Sequence, residues 1–234
     1  MFVISILYEK LYSKGEKNYE QQQYKQALML FMNAYASEAT NDCENYIGCC
    51  YIHLEQYNDA ERIFEKLINI APEWERPVFN LGNVYLKQNM YEDALNLFKK
   101  AKEINPFNAD VYYYLGVYYR TIKEYEKAIQ HYNKAISLND KEPEPYLDLG
   151  ICYFKLRDID KALYCSQKAY DLNNNDLTPL FNKAMVFIFI KKYGEALEIL
   201  ENLKSQGYYD EKIQEDIDYC KTQSDGTIST TFYK

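Results

Sequence analysis

The sequence predicts an all-α fold, a solenoid of antiparallel helix pairs ending in a capping helix, and three observations carry that expectation. A Gly, a Tyr three residues on and an Ala nine residues further recur every 34 residues, as Gly48/Tyr51/Ala60, Gly82/Tyr85/Ala94, Gly116/Tyr119/Ala128 and Gly150/Tyr153/Ala162. A fixed period of this size means one small unit stacked on copies of itself, not a globule around one centre. Within each period the apolar positions return at helical spacing, never at the alternation of a strand. Finally, most of the 26 Tyr of this 234-residue chain fall at fixed places in the period.

With the recurrent Gly set as position 8 and the Ala as position 20, six repeats follow at 8–40, 41–74, 75–108, 109–142, 143–176 and 177–210. At the N-terminal end, Ile4, Leu7, Tyr8 and Leu11 extend the first helix upstream with apolar residues. In every repeat, positions 4, 7, 8 and 11 share one face of a first helix, and positions 17, 20, 24 and 27 one face of a second. Position 8 holds Gly15, Gly48, Gly82, Gly116, Gly150 and Ala184; position 20 holds Ala27, Ala60, Ala94, Ala128, Ala162 and Ala196. Position 24 holds Phe31, Phe64, Phe98, Tyr132, Ser166 and Leu200. Gly inside a helix costs about 1 kcal/mol relative to Ala, so its recurrence implies a steric need. Two helices are expected to approach too closely there for a side chain, with the Ala as the matching flat spot.

Turns between the helices fall near Asn58-Asp59, Glu92-Asp93 and Arg157-Asp158, where Asp or Asn is expected to cap the second helix. Pro72 and Pro106 close two repeats, and Pro143, Pro145 and Pro179 sit where first helices start. Residues 209–222 carry Ile213, Ile217 and Cys220 on one stripe, which predicts a capping helix over the open face of repeat six. Residues 223–234 are rich in Ser and Thr and are expected to be a disordered tail.

These six in-register copies resemble the tetratricopeptide repeat family over about residues 8–210. The resemblance implies one domain over residues 1–222, a right-handed superhelix whose concave wall is lined by the first helices. It departs from the family pattern at position 32, Pro only at Pro72 and Pro106. The terminal repeats depart too, with Lys14 and Asn18 at positions 7 and 11 of the first and Lys183 at position 7 of the last.

Composition excludes several function classes. A net charge of −8 argues against nucleic acid. No apolar run reaches membrane-spanning length, and the apolar opening Met1–Leu7 lacks a basic flank, so it reads poorly as a secretory signal. Six Cys (43, 49, 50, 152, 165, 220) form no Cys-x-x-Cys pair, which suits reduced thiols in the cytoplasm. His53, His131 and the scattered Cys give no metal-ligand spacing. No Gly-rich phosphate loop or nucleophile elbow is present, and the acidic pairs Asp158/Asp160 and Glu142/Glu144 lie at turns. Neither an enzyme, a metal nor a cofactor is expected.

In the resembled family, positions 2, 5, 6, 9, 12 and 13 face the hollow. Those columns nominate Tyr12, Asn45, Tyr46, Phe79, Asn80, Asn83, Tyr113, Tyr114, Leu147, Asp148, Phe181 and Asn182 as the partner-binding groove. The column is aromatic and apolar, as binding patches are, and the amides of Asn80, Asn83 and Asn182 suit an extended peptide backbone. Repeat two is acidic, with Asp42, Glu44, Glu55, Asp59, Glu61, Glu65 and Glu73 against Arg62 and Lys66, and a basic segment would be drawn toward it. Family members that hold the acidic C-termini of heat-shock chaperones use Lys at position 5 and Lys or Arg at position 6. Neither column here has one, so a chaperone tail is not an expected partner. The expected function is a scaffold or adaptor gripping a peptide or protein segment. The alternatives are a self-associating structural protein, a homo-oligomer built through the apolar N-terminal helix, and a peptide-sensing regulator.

Overall fold

A computed structural model describes residues 2–208 and 212–224 of the chain. Among the described residues the secondary structure is helical throughout, and the chain divides into two compact units, Met1–Tyr118 and Tyr119–Lys234. The first contains α1 (Phe2–Glu20), α2 (Tyr24–Ser37), α3 (Asn41–His53), α4 (Tyr57–Ile70), α5 (Glu75–Lys87), α6 (Tyr91–Ile104) and most of α7 (Ala109–Thr121). The second contains α8 (Tyr125–Leu138), α9 (Pro143–Lys155), α10 (Ile159–Leu172), α11 (Thr178–Phe189), α12 (Tyr193–Ser205) and α13 (Ile213–Ser224). In the first unit α1 packs on α2, α3 on α4 and α5 on α6; α2 and α4 also touch the following first helix, and α3 meets α5 directly. The second unit repeats the scheme, with α9 on α10, α11 on α12, and α9 against α11.

Each hairpin is built round the period. The six position-20 alanines are sealed from solvent, and so are Phe31, Phe64, Phe98, Tyr132, Ser166 and Leu200 at position 24. The position-8 glycines have a more specific partner than a neighbouring helix backbone. A Cβ on Gly15 would stand 2.8 Å from the ring of Phe31, on Gly48 2.6 Å from Phe64, and on Gly82 2.7 Å from Phe98. The steric need therefore comes from the aromatic at position 24 of the same repeat. The expected match between Gly and the flat Ala surface is corrected accordingly: the ring, larger than any aliphatic side chain, occupies the space a Cβ would take. At Gly150 the ring is replaced by Ser166 and the nearest atom is Cys165 Cβ at 3.2 Å.

The turns also differ from expectation. Second helices begin at position 17, so their N-caps are Gln56, Met90 and Asp158, while Asp59 and Asp93 lie inside the first helical turn. Of the three expected caps only Asp158 acts as one, accepting from Lys161 N–H at 3.3 Å. What shapes these turns is the end of the first helix. In all six repeats position 15 is left-handed and non-Gly: Gln22, Glu55, Asn89, Lys123, Arg157 and Lys191, with φ from 58 to 65. The N–H of position 16 reaches back to the carbonyl of position 11, as from Gln56 to Tyr51 at 2.9 Å, and that of position 15 to position 12, as from Glu55 to Ile52 at 3.1 Å. This is the Schellman closure, which satisfies carbonyls that the helix end leaves open.

At the ends, α1 runs upstream as expected. Tyr8 is buried and its hydroxyl meets Thr40 Oγ1 at 2.7 Å, whereas Ile6 and Leu7 stay exposed. Ile213, Ile217 and Cys220 of α13 are buried in one cluster with Leu200 and Leu203 of α12. Lys221 pairs with Glu201 at 2.8 Å across the same helices. Residues 209–211, placed at the start of the expected cap, and 225–234 of the expected tail lie outside the described residues.

Candidate functional site

The nominated residues all stand on first helices, and they define one candidate side of those helices. In the first unit that side carries Tyr12, Asn45, Tyr46, Phe79, Asn80, Asn83, Tyr113 and Tyr114; in the second it carries Leu147, Asp148, Phe181 and Asn182. Tyr12, Tyr46, Tyr113, Tyr114, Leu147, Phe181 and Asn182 are half-buried. Asn45, Phe79, Asn80, Asn83 and Asp148 are buried, none more than 9% exposed.

Position 6 proves to be a joint between repeats. The Tyr46 ring stacks on Phe31 of the preceding repeat (centroids 4.9 Å), and Tyr114 stacks on Phe98 (6.0 Å) and on Phe79 (5.3 Å). Where position 6 is Asn80, the side chain donates instead to Asn45 Oδ1 at 3.0 Å and to Cys49 Sγ at 3.4 Å. In the second unit, position 6 is Asp148 and position 24 of the preceding repeat is Tyr132. The Tyr132 hydroxyl donates to Asp148 Oδ2 at 3.3 Å and accepts from Arg120 Nε at 3.3 Å, and Arg120 pairs with Asp148 Oδ1 at 3.5 Å. An aromatic stack and a partly buried ion pair thus fill the same place, because Tyr carries the polar handle that Phe lacks.

In the first unit this side is aromatic and acidic. Tyr12 stacks on Tyr8 (5.4 Å) and meets Phe31 and Tyr46 edge-on (5.6 and 5.7 Å). Burial, then Glu20 and Glu9, holds the Glu16 carboxyl above its ordinary value, and the nearby Tyr46 hydroxyl offsets part of that rise. At the far end of the same side, Tyr24 lies flat on His53 (4.0 Å), and the Tyr19 hydroxyl meets His53 Nε2 at 3.0 Å. Burial, then Lys87, lowers the His53 pKa.

In the second unit it is apolar. Besides Leu147 and Phe181, it holds half-buried Ile151, Phe154 and Met185 and exposed Phe189. Phe154 and Phe189 meet edge to face at 5.2 Å, and the Arg157 guanidinium sits 4.1 Å from the Phe189 ring. Phe154 and Phe189 were not among the sequence-nominated residues, although they stand at positions 12 and 13 of the same register.

The thiols of Cys43, Cys49, Cys50, Cys152 and Cys165 are each pushed up to about 12 by burial, which removes the thiolate a nucleophile needs. Among the described residues no group of His, Cys, Asp and Glu could hold a metal ion, and no helix is long and apolar enough to cross a membrane.

Tetratricopeptide repeat models match residues 47–73 and 78–141, and a model for anaphase-promoting complex (cyclosome) subunit 3 matches residues 123–203. No curated protein sequence matches the chain. Among solved structures, a thermophilic tetratricopeptide repeat protein of Thermus thermophilus is 22% identical with a TM-score of 0.71, over 77% of this chain and 99% of its own. A chain of an APC/C hetero-tetramer is 15% identical with a TM-score of 0.78, over 91% of this chain and 42% of its own. YrrB, described as a repeat protein of this kind with an unusual peptide-binding site, is 19% identical with a TM-score of 0.55, over 83% and 97%. At these identities the likeness speaks for the fold.

Proposed function

The chain belongs to the tetratricopeptide repeat family, and from that premise we propose that it is a non-catalytic scaffold holding a protein or peptide segment against its first helices. The observation that carries this reading is the apolar side of α9 and α11. Leu147, Ile151, Phe154, Phe181, Met185 and Phe189 lie together with none of them fully buried. Apolar surface left in contact with water gains about 25 cal/mol per Å² when a partner covers it, and clustered exposure of this kind marks interaction surfaces. Of the buried nominated residues, Asp148 stands on α9 beside that surface, while Asn45, Phe79, Asn80 and Asn83 belong to the first helices of the first unit. Half-buried Tyr12, Tyr113, Leu147 and Phe181 offer the anchors.

The test is affinity capture from native lysate with the full chain and with a Leu147→Ser/Phe189→Ser variant of unchanged thermal unfolding. Proteins retained by the wild type should be lost by the variant. An identical retained set from both proteins sinks the assignment of this surface.

A further inference from the structure

On the reading that the chain is a protein-binding scaffold, we infer that the apolar side of α9 and α11 takes a segment in which Asp or Glu adjoins apolar residues. Its carboxylates sit on a cationic edge formed by Lys155, Arg157 and Lys191.

Edge and face are one surface. Phe154, near the end of α9, meets Phe189, the last residue of α11, with centroids 5.2 Å apart, so the two helices end side by side. Lys155 follows Phe154 directly, and Lys191 stands two residues beyond Phe189. The Arg157 guanidinium lies 4.1 Å from the centroid of the Phe189 ring. A guanidinium held over a ring still presents several of its five N–H donors to a carboxylate. All three cations are exposed, and among the described residues none of them makes an ion pair. Carboxylates in the same two turns are largely taken: Asp158 pairs with Lys161 at 2.7 Å and Glu195 with Lys192 at 3.5 Å, which leaves Asp160.

Helix closure does not account for these cations. Position 15 has the same left-handed backbone and the same closing hydrogen bonds in all six repeats. Yet it holds Gln22, Glu55 and Asn89 in the first unit and Lys123, Arg157 and Lys191 in the second. The edge is also separate from columns 5 and 6, which carry no Lys or Arg. In a chain of net charge −8 such an edge acts only locally, because charges more than about 8 Å apart are largely screened at physiological ionic strength. A membrane or a nucleic acid, anionic over a wide area, meets the acidic whole of the protein. A short acidic segment meets the edge alone. Spacing agrees: α9 packs against α11, packed helices lie about 8–10 Å apart, and two or three extended residues span that distance at about 3.3–3.6 Å each. Carboxylates two or three positions apart therefore reach Arg157 and Lys191, while apolar residues beside them cover Phe154 and Phe189.

The experiment is selection of a phage-displayed random dodecapeptide library on the immobilised full chain, with the recovered peptides then titrated at low and high salt. Three proteins are compared: wild type, the Leu147→Ser/Phe189→Ser face variant and a Lys155→Gln/Arg157→Gln/Lys191→Gln edge variant. Gln suits the left-handed backbone of position 15, where Gln22 already holds φ at 58. Peptides in which Asp or Glu adjoins aliphatic or aromatic residues are expected, bound about tenfold more weakly by the edge variant and more weakly in high salt. Peptides that the face variant loses but that lack acidic enrichment, or are indifferent to the edge variant and to salt, overturn this inference and leave the scaffold reading intact. Peptides indifferent to both variants, or an empty selection, count against both. A wild type that selects no peptide yet binds phosphatidylserine vesicles, and loses them in the edge variant, assigns the edge to a lipid surface and overturns the inference. Should the triple variant lose its unfolding transition, Lys191→Gln alone, at an exposed site, supplies the comparison.

Discussion

Gly48 lies directly under the ring of Phe64: a Cβ added to it would stand 2.6 Å from Phe64 Cζ and 2.7 Å from Cε1. Phe64 itself is fully buried, so the ring has no route of retreat. Gly48→Ala is therefore expected to cost about 1–3 kcal/mol by overpacking, more than the helix-propensity gain of about 1 kcal/mol returns. Gly150→Ala faces only Cys165 Cβ at 3.2 Å and the Ala162 carbonyl oxygen at 3.4 Å, and should stay within about 1 kcal/mol of wild type. Repeat six already pairs Ala184 with Leu200. Phe64→Leu should accordingly recover part of the Gly48→Ala loss, a coupling that a double-mutant cycle in urea reads directly. Additive losses would remove the proposed clash.

Position 15 offers a gain instead of a loss. Lys123 holds φ at 64, a conformation that costs an L-residue about 1–2 kcal/mol and a glycine almost nothing. Lys123→Gly also loosens the unfolded chain, by about 0.4–1 kcal/mol. The net expectation is a stabilisation of about 0.5–1 kcal/mol, seen as a higher urea midpoint with an unchanged slope. A lower midpoint would mean that the Lys side chain contributes contacts beyond the backbone geometry.

The Arg120–Tyr132–Asp148 group is expected to respond unequally to its own deletions. Tyr132→Phe removes one hydroxyl and leaves the ion pair at 3.5 Å, a loss of about 1 kcal/mol. Asp148→Ala strands Arg120 and the Tyr132 hydroxyl together. Because the Arg120 side chain is 32% exposed, the cost falls below the full range for a sealed pair, at about 2–3 kcal/mol. Thermal or chemical unfolding of the two single variants checks the order, and a reversed order contradicts it.

Two glutamates of the first unit predict opposite pH behaviour. Burial first, then Glu20 and Glu9, raise the Glu16 carboxyl above 4.5 in the folded state. Folding there binds protons more readily than the unfolded chain does, so the charged form destabilises at neutral pH and that penalty disappears in acid. Glu16→Gln should raise the unfolding temperature at neutral pH, with the difference closing below about pH 4.5.

Glu75 behaves the other way. Burial opposes its charge, but hydrogen bonds from Asn108, from its own backbone and from Asn105 outweigh that effect, and its pKa is lowered. The Asn contacts are 2.8 and 3.0 Å to Oε1. Its stabilisation is present above the ordinary value and is lost as pH falls through the lowered one. Glu75→Gln should thus lose stability at neutral pH, by under about 1 kcal/mol given its exposure, and match wild type in acid. Equal pH profiles for the two variants would refute both assignments.

Period and helical spacing were enough to foresee paired helices, the sealed Ala column and the α13 stripe, because each depends on which residues share a helix face, and that is set locally. Three things were not local. Gly48 and Phe64 are sixteen residues apart, and their contact exists only once two helices fold back on one another. The left-handed residue at position 15 carries no glycine to announce it, since the hydrogen bonds that close the helix end, not the side chain, hold that conformation. What Tyr46, Asn80 and Asp148 meet depends on the neighbouring repeat: a Phe31 ring for Tyr46, the Asn45 amide for Asn80 and the Tyr132 hydroxyl for Asp148. Residue order therefore specified the helices and their buried stripes, while the docking of one hairpin on the next selected which polar and aromatic side chains remain accessible.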